Sequence, residues 1–172
     1  MSTGYTQNDE EPVILRALAG IERGMVIDVG AYDGVTFSNS RRLIEMGWSG
    51  VLVEPAPWAL ERLGALYGGE DRVTVVPAAL AGDPGETRLL AAADADGHEG
   101  LLSTTVAGEA ARSAVRHGVT FAETTCRATT WSELFTRFGH KANFISIDTE
   151  GTSIDRFLEL DLAALGELRL VC

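Results

Sequence analysis

The stretch Met25-Val-Ile-Asp-Val-Gly-Ala-Tyr-Asp-Gly34 constrains the fold more than any other part of the chain. Val26, Ile27 and Val29 are β-branched, as a strand buried on both faces prefers, so Met25 to Val29 reads as a short interior strand. Gly30 and Gly34 bound a sharp turn and let a ligand approach the backbone with no Cβ in the way. A turn at the end of a parallel strand lies at the carboxyl edge of the sheet, where open α/β folds bind their ligands. Asp28 is the unusual letter, because a carboxylate inside an apolar strand is costly unless something there needs it. A plain strand–turn–helix connection with a solvated aspartate is the simpler reading of the same letters.

The length of 172 residues points to one domain. Hydrophobic residues at 45% and charged ones at 23% give the balance of an ordinary globular protein. No apolar run reaches the ~18 residues of a membrane span, and the acidic N-terminus has no signal-peptide pattern. Two cysteines, Cys126 and Cys172, make neither a disulfide framework nor a CxxC pair, so a reducing, cytoplasmic setting is expected. The net charge of −11 repels phosphate backbones, and the densest basic pair, Arg41-Arg42, reads as a helix face. Nucleic acid and membrane are therefore not expected partners.

In chain order, residues 1–23 read as an acidic, patternless arm followed by a helix at Pro12–Ala19. The main domain is expected over 24–172, with an insertion at about 82–130. After Gly34 a helix is expected from Val35 to Glu45, with Ser38 or Asn39 as its cap. A second strand follows at Val51–Glu54, a helix at Trp58–Tyr67 and a third strand at Arg72–Val76. The insertion reads as a hairpin-like excursion, with strands at Thr87–Ala92 and Val119–Thr129 and a helix at Glu109–His117. Trp131–Phe138 is a helix capped by Thr130, Asn143–Ile147 an apolar strand, Ile154–Leu160 a helix, and Leu168–Val171 the start of a strand. Strands alternating with helices predict a doubly wound α/β fold, a mostly parallel sheet with helices on both faces.

Glu54 ends the second strand about 20 residues beyond Gly34, where nucleoside-binding α/β folds place an acid to accept ribose hydroxyls. Its simpler reading is a polar strand end. Neighbouring parallel strands bring both ends to one crevice, which favours the ribose reading. The turn reads G-A-Y-D-G and lacks the central glycine of a dinucleotide fingerprint, and Asp28 and Asp33 flank it. Carboxylates are poor company for a pyrophosphate and suit a ligand with an ammonium and a sulfonium. S-adenosylmethionine is such a ligand.

Val26-Ile-Asp-Val-Gly-Ala-Tyr-Asp-Gly34 with Thr36-Phe-Ser-Asn39, then Gly47-Trp-Ser-Gly-Val-Leu-Val-Glu-Pro55, then Ile145-Ser-Ile-Asp-Thr-Glu-Gly151, resemble the FkbM family of S-adenosylmethionine-dependent methyltransferases. The resemblance runs from about Gly24 to the last residue. It implies a Rossmann-like methyltransferase sheet and O-methylation of a small-molecule or sugar hydroxyl. It sets Asp28, Gly30, Ala31, Tyr32, Asp33 and Gly34 against the methionine part of the cofactor, with Ser38 and Asn39 near its carboxylate. Glu54, followed by Pro55, takes the ribose hydroxyls, and Pro77, Ala78 and Ala79 border the adenine. Asp148, and second Glu150, become the candidate catalytic groups, able to orient an acceptor hydroxyl, take its proton, or hold a divalent metal that does so. Capping of the following helix is the simpler role for either acid.

No two of His98, His117 and His140 show metal-ligand spacing, so a divalent metal has no support beyond that acidic turn. All three histidines read as surface residues, with His140 the best spare base. Cys126 reads as a small strand residue, and Trp131 with Phe135, four apart on a helix, as core. The chain reads as C-terminally short for the family, because Arg169-Leu-Val-Cys172 stops inside a strand. A raw strand edge invites a second copy or a partner chain to complete the sheet. A non-catalytic cofactor-binding or partner domain is therefore the rival reading, and a nicotinamide-dependent oxidoreductase a third.

Overall fold

A computed structural model describes residues 4–93 and 101–172, so His98 lies outside the described residues. Five strands form an all-parallel sheet: β1 (Met25–Val29), β2 (Ser49–Val53), β3 (Val73–Val76), β7 (Phe144–Ile147) and β8 (Leu170–Val171), in the order β3-β2-β1-β7-β8. The order reverses between β1 and β7, which is the switch point where such a sheet opens a crevice.

Side-chain alternation along the strands builds two cores. Ile27, Val29, Val51, Val53, Ile145 and Ile147 point to one face and pack on Trp131, Leu134 and Phe135 of α5 (Trp131–Phe138). Val26, Leu52 and Phe144 point to the other and meet α1 (Glu11–Ala17), α2 (Arg41–Glu45) and α3 (Pro57–Tyr67) through Ile14, Leu43, Ile44, Leu63 and Tyr67. Covering both faces explains why the strands are nearly all apolar. Trp131 and Phe135 stack at 5.5 Å in the first core, and Thr130 caps α5 by accepting from the Glu133 N–H.

The insertion forms a second sheet. β5 (Gly85–Ala93) and β6 (Thr120–Thr129) pair antiparallel along their whole length, and β4 (Ala79–Leu80) joins β6 in parallel. α4 (Ala107–His117) lies between the two long strands in sequence, and α6 (Ser153–Leu158) follows β7. Among the described residues no helix is long and apolar enough to cross a membrane.

Two expectations change. The helix foreseen from Val35 to Glu45 is only the five-residue α2. Asp33 draws the start of that segment into a turn, its Oδ1 accepting from the Val35 and Thr36 N–H groups at 2.9 and 2.7 Å. Phe37 then takes φ 56°, which a right-handed helix cannot hold. Ser38 keeps a cap-like role, its Oγ accepting from the Arg41 N–H at 3.1 Å. The N-terminal arm, expected to be patternless, is also anchored, at Tyr5 and Thr6. Thr6 is buried and its Oγ1 accepts from the Glu11 N–H, while Tyr5 donates its hydroxyl to Glu45 on α2.

Candidate active site at the switch point

Register sets the site. Val29 stands opposite both Val53 and Ile147, and Val53 opposite Val76, so four strands end at one level. The residues that leave those strands are Gly30, Glu54, Asp148 and Pro77. A cavity opens there, walled by Asp28 and the Gly30–Tyr32 turn, by Glu54-Pro55, by Ala78–Leu80 and by Asp148–Glu150. Its outer side is closed by Leu89 of β5, residues 101–105 and Gln7.

Asp28 is buried at 4% exposure and is not the solvated residue of the simpler reading. Ser40 donates its hydroxyl to Asp28 Oδ2 at 2.5 Å, and Ser146 on the neighbouring strand hydrogen-bonds it as well. Those bonds favour the charged form, yet burial outweighs them and, with repulsion from Asp148, pushes the Asp28 carboxyl up to about 6. Glu54 is as deeply buried. Its Oε2 accepts from the Tyr32 N–H at 2.9 Å and its Oε1 from the Ala56 N–H at 2.8 Å, tying the first turn to the second strand. Burial, with repulsion from Asp28, pushes it up to about 7. Each Oε still has a lone pair to offer.

Asp148 differs from both. It is exposed to solvent at the cavity, and the protein packed around it raises its pKa. Glu150 is raised by burial and then by repulsion from Asp148 and Glu109. Among the described residues neither carboxylate has a hydrogen bond or an ion pair, so neither caps α6. The turn before α6 is held instead by Ser153, whose Oγ accepts from the Thr149 N–H and donates to the Thr149 carbonyl, each at 3.0 Å.

Packing within the protein requires both glycines. At Gly30 (φ 83°) a Cβ would stand 1.9 Å from the Asp148 carbonyl oxygen, so a bare Cα lets β1 and β7 close together at the cavity floor. At Gly34 a Cβ would press on Leu63 and Tyr67 of α3. Of the residues singled out in the sequence, Asp28, Gly30, Ala31, Tyr32, Ser38, Asn39, Glu54, Pro55, Ala78, Ala79, Asp148 and Glu150 all line the cavity. Asp33 and Gly34 do not. Asp33 is taken up by its turn, with Arg62 3.9 Å away.

His140 stacks on Phe135 at 4.9 Å, before the start of β7 and so at the opposite edge of the sheet. His117 is exposed at the end of α4, and Cys126 is half-buried in β6 with its thiol pushed up by burial. No group of three His, Cys, Asp or Glu among the described residues is arranged to hold a metal ion.

Sequence reading missed Ser40, Ser146, Gln7 and Thr104. Ser146 left a signal, the one polar letter in Phe144-Ile-Ser-Ile147, two residues before Asp148 on the same strand. Thr104 left none. It is buried, pairs through its main chain with Leu90 of β5, and donates its hydroxyl to the Glu150 carbonyl at 2.6 Å.

A parallel sheet with helices on both faces, opening a cavity at the strand-order reversal, defines a Rossmann-like α/β domain. Residues 28–165 match the family model described as a methyltransferase FkbM domain, which spans most of the chain. The chain belongs to that family and is a methyltransferase by class. Comparison with curated proteins gives no match.

Proposed function

We propose that this chain transfers a methyl group from S-adenosylmethionine to a hydroxyl of a small molecule or sugar. The observation that carries the reading is that Asp28, Glu54 and Asp148, from three adjacent strand ends, converge on one cavity within a methyltransferase domain. The residues present fit the cofactor. The described lining has four carboxylates and no Lys, Arg or His, which suits a ligand with two positive groups and no phosphate. The unused lone pairs of Glu54 suit the ribose hydroxyls, and Ala78, Ala79 and Leu80 offer an apolar wall for the adenine. When bound, the cofactor supplies an electrophilic methyl carbon.

The chain's own part is mostly alignment, since displacement at a methyl group needs nucleophile, carbon and leaving sulfur in line. Asp28, held by Ser40 and Ser146, faces the cationic end of the ligand. Asn39 is oriented by donating to Ser146 Oγ at 3.2 Å and lines the same side. Asp148, raised by the protein packed around it and with no side-chain partner among the described residues, accepts from the acceptor hydroxyl and takes its proton as the new C–O bond forms and the C–S bond breaks. Glu150 stands second in that role.

Isothermal titration with S-adenosylmethionine tests the reading. We expect binding, weakened by about 1–3 kcal/mol in Asp28→Ala and in Glu54→Ala. No heat with either the cofactor or S-adenosylhomocysteine would rule it out.

A further inference from the structure

The polar side chains on the Asp28 side of the cavity have committed their protons. Ser40 has one hydroxyl proton and gives it to Asp28 Oδ2 at 2.5 Å. The Ser38 and Ser40 hydroxyl oxygens lie 3.3 Å apart, so the proton between them comes from Ser38. Thr36 donates its hydroxyl to Asp33 Oδ2 at 2.9 Å. Asn39 directs its Nδ2 protons to Ser146 Oγ at 3.2 Å and to Cys172 Sγ at 3.9 Å, which leaves its Oδ1 for the cavity. Together with the Asp28 carboxylate, these side chains present acceptors, which suit an ammonium. An amino-acid ligand also brings a carboxylate, and that group needs donors.

Gln7 of the N-terminal arm lines the same cavity and brings an uncharged amide with two N–H protons. Contacts on either side of it fix its place. Ahead of it, the Tyr5 ring lies against the Arg41 and Arg42 guanidiniums at 5.8 and 5.2 Å, its hydroxyl donates to Glu45, and Thr6 is buried. Arg41 opens α2, just past Asn39. Behind Gln7, the Asn8 N–H donates to Glu10 Oε2 at 2.8 Å. The Cys172 thiol, which Asn39 contacts, is pushed up by burial and then by repulsion from Glu10. Gln7 is thus held between two points that both adjoin Asn39. Resting on the donor reading above, we propose that Gln7 is a cofactor-binding residue: its side-chain amide donates to the carboxylate of the S-adenosylmethionine amino-acid group, while Asp28 and Asn39 Oδ1 take the ammonium. The arm that carries it lies ahead of the family domain, which begins at residue 28.

Titration calorimetry on the full chain tests this with S-adenosylmethionine and with decarboxylated S-adenosylmethionine, which keeps the ammonium and sulfonium and lacks the carboxylate. Gln7→Ala should bind S-adenosylmethionine about fivefold more weakly than the wild-type chain, the worth of one net hydrogen bond. The decarboxylated probe should bind both chains alike. Gln7→Glu sets a like charge against the carboxylate, so it should weaken S-adenosylmethionine further and spare the decarboxylated probe. Gln7 is exposed, so both variants should melt at the wild-type temperature. Unchanged S-adenosylmethionine affinity in Gln7→Ala, or an equal loss for both probes, would overturn the inference and leave the donor reading intact. Failure of S-adenosylmethionine to bind the wild-type chain would overturn both. Should the decarboxylated probe bind too weakly to measure, Gln7→Glu decides: affinity for S-adenosylmethionine equal to that of Gln7→Ala, or higher, refutes the carboxylate contact.

Discussion

Gly30 shows how a single position joins fold and site. Its Cβ-free backbone admits the Asp148 carbonyl, so the strand carrying Asp28 and the loop carrying Asp148 meet at van der Waals distance. Gly30→Ala should therefore cost at least about 2 kcal/mol in urea denaturation, from positive φ plus overpacking against backbone that has little freedom to move. Gly20→Ala is the control, because Gly20 has a similar φ of 89° but open space where the Cβ would lie. An equal loss in both variants would show that φ alone matters and the Asp148 contact does not. The sequence made Gly30 stand out for the right backbone reason, but the neighbour that enforces it lies more than a hundred residues away. Asp28 was similar. Its oddity within an apolar strand was legible, while Ser40 and Ser146, which make its burial tolerable, became visible only in three dimensions.

At the scale of elements, the insertion is fastened to the acidic turn by Thr104. Its main chain bridges to Leu90, its hydroxyl donates to the Glu150 carbonyl, and the Val106 N–H donates back to it at 3.0 Å. Thr104→Val keeps the shape and removes the hydroxyl, leaving the Glu150 carbonyl and the Val106 N–H without it, at a cost of about 1–3 kcal/mol. Hydrogen exchange should quicken at the amides of Thr152 and its neighbours, with those of β1 and β2 unchanged, and Thr104→Ser should restore protection. Unchanged exchange would mean the insertion and the turn are not coupled. Nearly every strand and helix was readable from periodicity and caps, including Thr130 at the head of α5. Val35–Ser40 was not, because Asp33 satisfies the next two N–H groups with its own side chain and competes with the helix for them.

Across the whole molecule, the buried acids of the cavity tie stability to pH. Asp28 and Glu54 are raised from 3.8 and 4.5 to about 6 and about 7, so the folded chain binds more protons than the unfolded one between those limits. Stability from these groups is complete below about pH 4 and is lost as pH rises through 6 and 7, an effect of order a few kcal/mol. Thermal melts should give a lower Tm at pH 8 than at pH 5, and Glu54→Gln should flatten the slope. A Tm that rises over that interval would contradict the burial of these acids as free carboxylic groups. By itself the sequence determined the alternation of strands and helices, the strand ends that bear Asp28, Glu54 and Asp148, and the family. Those features rest on local periodicity and on letters that are costly in their strand. Only the tertiary structure decided that the three ends stand level, that no basic side chain among the described residues reaches the cavity, and that Thr104 closes its outer wall. Register and the path of an insertion depend on pairings between distant segments, which no local pattern encodes. The stretch from Met25 to Gly34 is thus one wall of a site whose charge is set by all the others.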